Sequence, residues 1–94
     1  MEAREETLEY LARLAEELAR REVTAQVVTK GPKPYLNVAN THTPELNERV
    51  YCRRATDGSW CFWWPWRQPI GSVHDLGAIV TKIMAVLRSV EGNS

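Results

Sequence analysis

The sequence predicts an α+β fold, a two-layer sandwich with the element order α-β-β-β-β-α. Apolar residues recur at helical spacing near both ends of the 94-residue chain, the middle is rich in β-branched and aromatic residues, and Pro- and Gly-containing turns divide it. Four consecutive strands between two helices favour an antiparallel sheet with both helices on one face and the other face open. We expect a single domain over residues 1–94, with residues 91–94 a frayed tail.

The first helix is predicted over residues 2–21. Its leucines recur at three- and four-residue steps and form one apolar face, made of Leu8, Leu11, Leu14 and Leu18. Glu precedes Arg by four residues three times, which stabilises an exposed helix. Because the polar face is rich in acids, we interpret the apolar face as core packing rather than as a contact with anionic lipid.

Two short strands follow, over residues 23–30 and 35–40. The first is rich in Val and Thr, and the segment 31–34 contains two prolines that interrupt a strand ladder. The two strands therefore form a predicted hairpin. Residues 40–48 are predicted to be a loop with at most one helical turn, starting at Thr43 before a proline.

The last helix is predicted to begin at a Ser72 cap, with Asp75 three residues later, and to end near Val90. Its apolar residues make a broad stripe, which consists of Leu76, Ile79, Val80, Ile83, Leu87 and Val90.

The central hairpin is predicted between Val50 and Trp66, a segment that holds all four tryptophans and both cysteines. Asp57-Gly58 favours a two-residue type I′ loop, in which both residues have positive φ. That loop would place Cys52 opposite Trp63. One face then carries Tyr51, Arg53, Ala55, Trp60, Phe62, Trp64 and Trp66, and the other carries Val50, Cys52, Arg54, Cys61 and Trp63. We assign the heavier aromatic face to the core, because large aromatics dominate cores.

The face left open is the predicted functional surface, because contiguous exposed apolar residues usually mark an interaction site. Trp and Arg are also typical of interface centres. The candidate partner-binding residues are Cys52, Arg54, Cys61, Trp63 and Arg67. We expect a small non-catalytic binding or regulatory protein that acts through protein–protein contact and self-associates through the open sheet face.

Two alternatives from other classes stay open. The first is a single-stranded nucleic-acid binder, in which bases stack on the aromatic rings and Arg side chains contact phosphates, with Arg49, Arg53, Arg54 and Arg67 as candidates. The formal net charge of zero argues against this alternative. The second is a small-molecule binding domain or a thiol enzyme that uses Cys52 or Cys61, with Cys52 and His42 as a conceivable nucleophile pair.

The residues that could carry metal or catalytic chemistry are few. Cys52, Cys61, His42 and His74 match no compact zinc spacing. The predicted register separates the two cysteines by about 7–8 Å at Cα, at the limit for a disulfide. The sequence contains neither a phosphate-binding glycine loop nor a nucleophile-elbow motif. We therefore expect no enzyme activity, no cofactor and no bound metal.

The N-terminus has no apolar segment of the kind found in secretory signals, and no apolar run approaches the ~20 residues of a membrane span. These features predict a cytoplasmic protein with reduced thiols and without a membrane partner. Charge is uneven along the chain. Residues 2–22 contain seven Glu and four Arg, a net −3, whereas residues 23–71 contain six Lys or Arg and three acids, a net +3.

Three segments carry a resemblance to known proteins. They are residues 35–40, residues 46–51, and the tryptophan-rich residues 60–66 before the final apolar helix. In this order the chain resembles a set of small uncharacterised actinobacterial proteins. The resemblance implies a bacterial cytoplasmic context and an accessory or regulatory role, and it implies no catalytic or binding residues.

Overall fold

In chain order, five strands lie between an N-terminal and a C-terminal helix in the computed structural model. The structure describes the backbone of residues 2–88 and the side chains of residues 4–87. The elements in chain order are α1 (Glu2–Ala19), β1 (Val23–Val28), β2 (Tyr35–Asn40), β3 (Asn47–Arg54), β4 (Trp60–Trp63), β5 (Pro69–Ser72) and α2 (Leu76–Arg88). The predicted α+β class with an antiparallel sheet is confirmed. The structure adds one strand, β5, to the four that were predicted.

The sheet is an antiparallel meander in which the strands lie in their chain order. β3 changes its hydrogen-bonded neighbour halfway along its length. Residues Asn47–Val50 pair with β2, and residues Tyr51–Arg54 pair with β4. The centre of β3 is therefore the place where the two halves of the sheet meet.

Both helices cover one face of this sheet and share one core with it. α1 packs against β1, β2 and β3, α2 packs against β5 and β2, and the two helices touch each other. The leucine face predicted for α1 is buried at Leu11, Leu14 and Leu18. The fully buried side chains that join both layers include Leu36, Val38, Val50, Phe62, Ile70, Ile79 and Ile83. Within residues 2–88, neither helix has the length and apolar character needed to cross a membrane.

β5 was missed because its sequence, Pro69-Ile70-Gly71-Ser72, contains two residues that are depleted in strands. Both fit the structure for local reasons. Pro69 is the first residue of an edge strand, where a missing N–H is tolerated. A Cβ added to Gly71 would lie 2.9 Å from Cδ1 of Ile79, so this glycine allows α2 to pack closely on β5.

The loop of the central hairpin differs from the predicted two-residue turn. Ala55 N–H donates to Ser59 O at 2.7 Å, and Gly58 N–H donates to Ala55 O at 2.9 Å. Gly58 has φ +89°, whereas Asp57 does not have positive φ. This is a three-residue loop, a type I turn followed by a left-handed residue. The Asp57 carboxylate supports it by accepting hydrogen bonds from the Ser59 N–H at 3.0 Å and hydroxyl at 2.7 Å.

The different loop shifts the pairing of β3 with β4 by one residue. Cys52 lies opposite Phe62 rather than Trp63, and Tyr51 lies opposite Trp63. Because side chains alternate along a strand, a shift of one residue exchanges the two faces of β3 relative to β4. The prediction for β4 was right, with Phe62 in the core. The prediction for β3 was wrong: Val50 and Cys52 face the core, and Tyr51 and Arg53 face outward.

The last helix begins later than predicted. Ser72 does not cap α2; its hydroxyl accepts from His74 N–H at 3.1 Å in a turn that precedes the helix. The first helical bond runs from Ile79 N–H to Asp75 O at 3.1 Å, so Asp75 holds the cap position. The predicted end near Val90 and the predicted tail over 91–94 lie outside the described residues.

Candidate functional site

The uncovered face of the sheet is organised around the outward side chains of β3. Arg49, Tyr51 and Arg53 alternate with the buried Val50 and Cys52, as the two-residue period of a strand requires. Tyr35 of β2 lies beside Tyr51, with ring centroids 5.7 Å apart. Trp63 of β4 pairs with Tyr51 in the ladder. Three aromatic rings and two guanidinium groups thus share one patch of the open face.

Each arginine of this patch lies over an aromatic ring. Cζ of Arg49 is 4.7 Å from the centroid of the Tyr35 ring, and Cζ of Arg53 is 5.5 Å from the Trp63 ring. Both distances are within the range of cation–π interactions, in which the ring face attracts the positive charge. The cations and rings of the patch are therefore in contact with each other rather than isolated.

Hydrogen bonds fix the orientation of these groups. Trp63 Nε1–H donates to the carbonyl oxygen of Arg53 at 3.3 Å, which ties the indole to the neighbouring strand. A hydrogen bond with the Tyr51 side chain raises the pKa of Arg49 above its ordinary value, and the neighbouring Tyr35 ring acts in the same direction. The Arg49 guanidinium is charged at physiological pH, as arginine is without any such shift.

The patch forms the floor of a groove of about 470 Å³, a volume within the range of ligand-binding sites. We call it the basic groove. The β1–β2 turn contributes one wall with Lys30, Pro32 and Lys33, and the β4–β5 loop contributes the other with Pro65 and Arg67. Because β2 and β4 are the two neighbours of β3, these walls flank β3 on opposite sides.

All charged side chains that line the basic groove are cations, namely Lys30, Lys33, Arg49, Arg53 and Arg67. Among the side chains of residues 4–87, none of the ion pairs involves any of the five. The acid-rich helix α1 covers the opposite face of the sheet. The zero net charge of the chain is therefore divided between an acidic helix layer and a basic open face, and the groove lacks a counter-charge of its own.

The β4–β5 loop has the same hydrogen-bond pattern as the central hairpin loop. Trp64 N–H donates to Gln68 O at 2.8 Å, and Arg67 N–H donates to Trp64 O at 3.1 Å. Arg67 has φ +68°, in the position that Gly58 holds in the other loop. A non-glycine residue in this left-handed conformation costs about 1 kcal/mol. Arg67 thus accepts backbone strain while its side chain lines the basic groove.

Three of the five predicted partner-binding residues lie on the open side. Trp63 forms part of the groove floor, Arg67 lines its wall, and Cys61 faces outward between Arg53 and Ser72. Whether they bind a partner stays a prediction.

The other two predicted residues, Cys52 and Arg54, require correction, because the register shift moves both to the helix-covered face. Cys52 is 4% exposed within the core. Arg54 lies at the edge of the helix face, where Cζ is 5.2 Å from the Trp60 ring and Nη2 is 3.9 Å from the Glu6 carboxylate of α1.

The same register separates the two thiols. Cys52 and Cys61 are free and lie on opposite faces of adjacent strands. Burial, and to a lesser extent the nearby Cys61, raises the pKa of Cys52 to about 12, so this thiol stays protonated at neutral pH. His42 lies beside Glu22 at the far end of β2, whereas Cys52 lies near Pro34 at its start, so the structure does not bring Cys52 and His42 together. In the described part of the chain, no three His, Cys, Asp or Glu side chains are grouped so that they could hold a metal.

The sequence reasoning missed much of the groove. Tyr35, Lys30 and Lys33 were not proposed as site residues, and Tyr51 was placed in the core. One signal was available: Arg49, Tyr51 and Arg53 occur at every second position, which places them on one face of any strand. Only the register decides that this face is the open one.

Comparison of the chain with protein-family models, with curated protein sequences and with solved structures gives no match. The resemblance to small actinobacterial proteins therefore stays a prediction.

Proposed function

We propose that the protein is a non-catalytic binding protein that holds single-stranded nucleic acid in the basic groove. One observation carries this proposal: five cations, which form no ion pair with any side chain of residues 4–87, surround three half-buried aromatic rings on an open antiparallel sheet. Phosphates are the polyanion that such cations match, and unpaired bases are planar groups that stack on such rings. The cations that would contact phosphates and the rings that would stack on bases line the same groove.

The arrangement of the charges favours a chain over a single small anion. Lys30 and Lys33 lie on one side of β3, Arg67 lies on the other, and Arg49 and Arg53 lie between them. A strand that crosses β3 from wall to wall meets a cation at each step. A duplex is a poorer ligand, since its bases are already stacked on each other and cannot reach the rings.

The same charges weigh against self-association through this face. A two-fold symmetric dimer places identical patches against each other. Two basic grooves in contact would bring ten unpaired cations together, because each contributes the same five. The second candidate function is the predicted protein–protein contact, with an acidic protein as the partner. The Tyr, Trp and Arg side chains of the groove floor favour it, because these residue types are typical of binding hot spots.

The direct test is titration of the protein with an oligothymidylate while its tryptophan fluorescence is recorded. Each phosphate neutralised by a cation contributes about −0.7 to the slope of log affinity against log salt, so five contacts predict a slope of about −3.5. Arg53→Gln should weaken binding and reduce the slope by about 0.7. Arg13→Gln removes the same charge from the far surface of α1 and should change neither.

Three results would overturn the nucleic-acid proposal. They are unchanged fluorescence and anisotropy at low salt, equal binding of the matching duplex, and equal effects of the Arg53 and Arg13 substitutions. Tight binding of a poly-glutamate peptide in place of the oligonucleotide would assign the groove to an acidic protein partner instead.

A further inference from the structure

The β4–β5 loop carries a feature that the basic groove does not use. Trp66 is 53% exposed, the largest exposure of any big apolar side chain in the part of the chain that the structure describes. Exposed tryptophans on surface loops are usually free to rotate. Here two contacts fix the orientation of the ring, which is a property expected of a binding position.

Two contacts fix the Trp66 ring. One indole face stacks on Trp64, with centroids 5.3 Å apart and an angle of 8° between the planes. The Nε1–H donates to Oε1 of Gln68 at 2.9 Å. Because Trp64 covers only one face, the opposite face of Trp66 is a flat apolar surface of fixed orientation that is open to solvent.

Trp66 does not itself line the basic groove, but it lies next to residues that do. Trp64, Pro65 and Arg67, the neighbours of Trp66 in the chain, all line the groove. A strand that leaves the groove past Arg67 runs toward Trp66, the preceding residue of the same loop. The loop combines a cation for a phosphate with an adjacent ring for the following base, which are the two elements of a single-strand binding position.

We propose that Trp66 is an additional stacking position, on which a base beyond the groove is held as the strand crosses the β4–β5 loop. This inference rests on the proposed function. It adds the direction in which the strand leaves the groove, and it requires a ligand long enough to reach Trp66 from the groove. Trp64 acts as a positioning residue, because it orients Trp66 from below while remaining 7% exposed. Gln68 has the same role through its hydrogen bond.

The test measures affinity against length for oligothymidylates of two to eight nucleotides, for the native chain and for Trp66→Ala. The native chain should gain affinity stepwise, and one late step should be about 5- to 100-fold, as expected for one stacked base. Trp66→Ala should lose that step and keep its affinity for the shortest ligands. Trp66→Phe should restore part of it, and Gln68→Leu, which keeps the ring but removes its anchor, should reduce it.

The outcomes separate the two proposals. If the native chain binds no oligonucleotide at any length, the proposed function and this inference both fall. If it binds and Trp66→Ala gives the same length series, or loses affinity equally at every length, the inference alone is wrong. A dimer of the native chain that Trp66→Ala converts to a monomer would also overturn it, because a second copy would then cover the ring. Circular dichroism and thermal melting of each variant verify that the fold is kept.

Discussion

The two faces formed by β3 and β4 are built from alternating residues of the same two strands, yet they differ in burial and in charge. The covered face holds Val50, Cys52 and Phe62, each 4% exposed or less. The open face holds Arg53 and Trp63, a cation lying over a ring. The covered side is packed for stability. The open side combines half-buried rings with cations that lie over them, and the cations of its groove form no ion pair with the side chains of residues 4–87.

The largest expected difference between the faces concerns the neighbours Phe62 and Trp63. Phe62→Ala should lower the free energy of unfolding by about 3–5 kcal/mol, because it leaves a cavity in the core. Trp63→Ala should cost only about 1 kcal/mol, since its ring is partly exposed and loses mainly a cation–π contact. Urea denaturation monitored by circular dichroism measures both. If Phe62→Ala prevents folding, Phe62→Leu gives a smaller loss of unfolding free energy that can be measured. Equal losses of unfolding free energy at positions 62 and 63 would contradict the contrast between the two faces.

Ligand binding should show the reverse order. Trp63→Ala should weaken binding of an octathymidylate by about 10- to 100-fold, because one base loses its stacking surface. Phe62→Leu should leave the affinity unchanged. Fluorescence anisotropy of a labelled oligonucleotide measures both, with the fold verified by thermal melting. An equal loss of affinity in the two variants would mean that the effect comes from stability and not from the groove.

The two cysteines extend the contrast to pH. Burial raises the pKa of Cys52 to about 12, whereas a thiol in an unfolded chain titrates near 8.5. Between these values the unfolded chain loses a proton that the folded chain keeps. The stabilisation is thus fully present below the unfolded pKa and is lost as pH rises toward the folded pKa.

At pH 10.5 this loss should reach about 2–3 kcal/mol. Urea melts at pH 8 and pH 10.5 measure it, and Cys52→Ala should remove this part of the pH dependence while Cys61→Ala should not. A thiol reagent should label Cys61 in the folded protein and Cys52 only on unfolding. Rapid labelling of both thiols in the folded protein would show that Cys52 is not buried.

The smallest predicted effect on stability has the opposite sign. Arg67→Gly should raise the free energy of unfolding by about 1 kcal/mol, because glycine adopts positive φ without strain. It should also weaken oligonucleotide binding, since a cation of the groove is lost. Glu22→Gly is the matched control, because Glu22 also has positive φ, 61°, but lies in the turn between α1 and β1, away from the residues that line the groove. Glu22→Gly should stabilise the protein and leave oligonucleotide binding unchanged. A loss of stability in Arg67→Gly would contradict the claim that Arg67 carries backbone strain.

The sequence was sufficient for every element except β5, but not for the register of β3 and β4. Helical periodicity and β-branched runs predicted both helices and four strands, and the alternation in β4 correctly placed Phe62 inside and Trp63 outside. The faces of β3 were wrong because Asp57-Gly58 fits two loops. Glycine takes the left-handed position in a two-residue and in a three-residue loop alike. The hydrogen bonds of Asp57 to Ser59 favour the longer one, and they are visible only in three dimensions.

The groove was harder to predict than the fold. Lys30 and Arg67 are 37 positions apart in the chain and approach the same site only because β3 exchanges one neighbour for another. Arg67 also carries a backbone conformation that local preference assigns to glycine. Sequence rules describe what stabilises a fold, so a residue that departs from local preference, as Arg67 does, is the kind that they miss.

The change of partner along β3 has a mechanical consequence. The ladder to β2 ends at Val50 and the ladder to β4 begins at Tyr51, so the halves of the sheet are joined there by the covalent backbone. Strands twist, and the twist at this junction sets the separation between the β1–β2 turn and the β4–β5 loop. The width of the basic groove therefore depends on the twist at the junction in its floor. A ligand that touches both walls holds the two half-sheets at one angle.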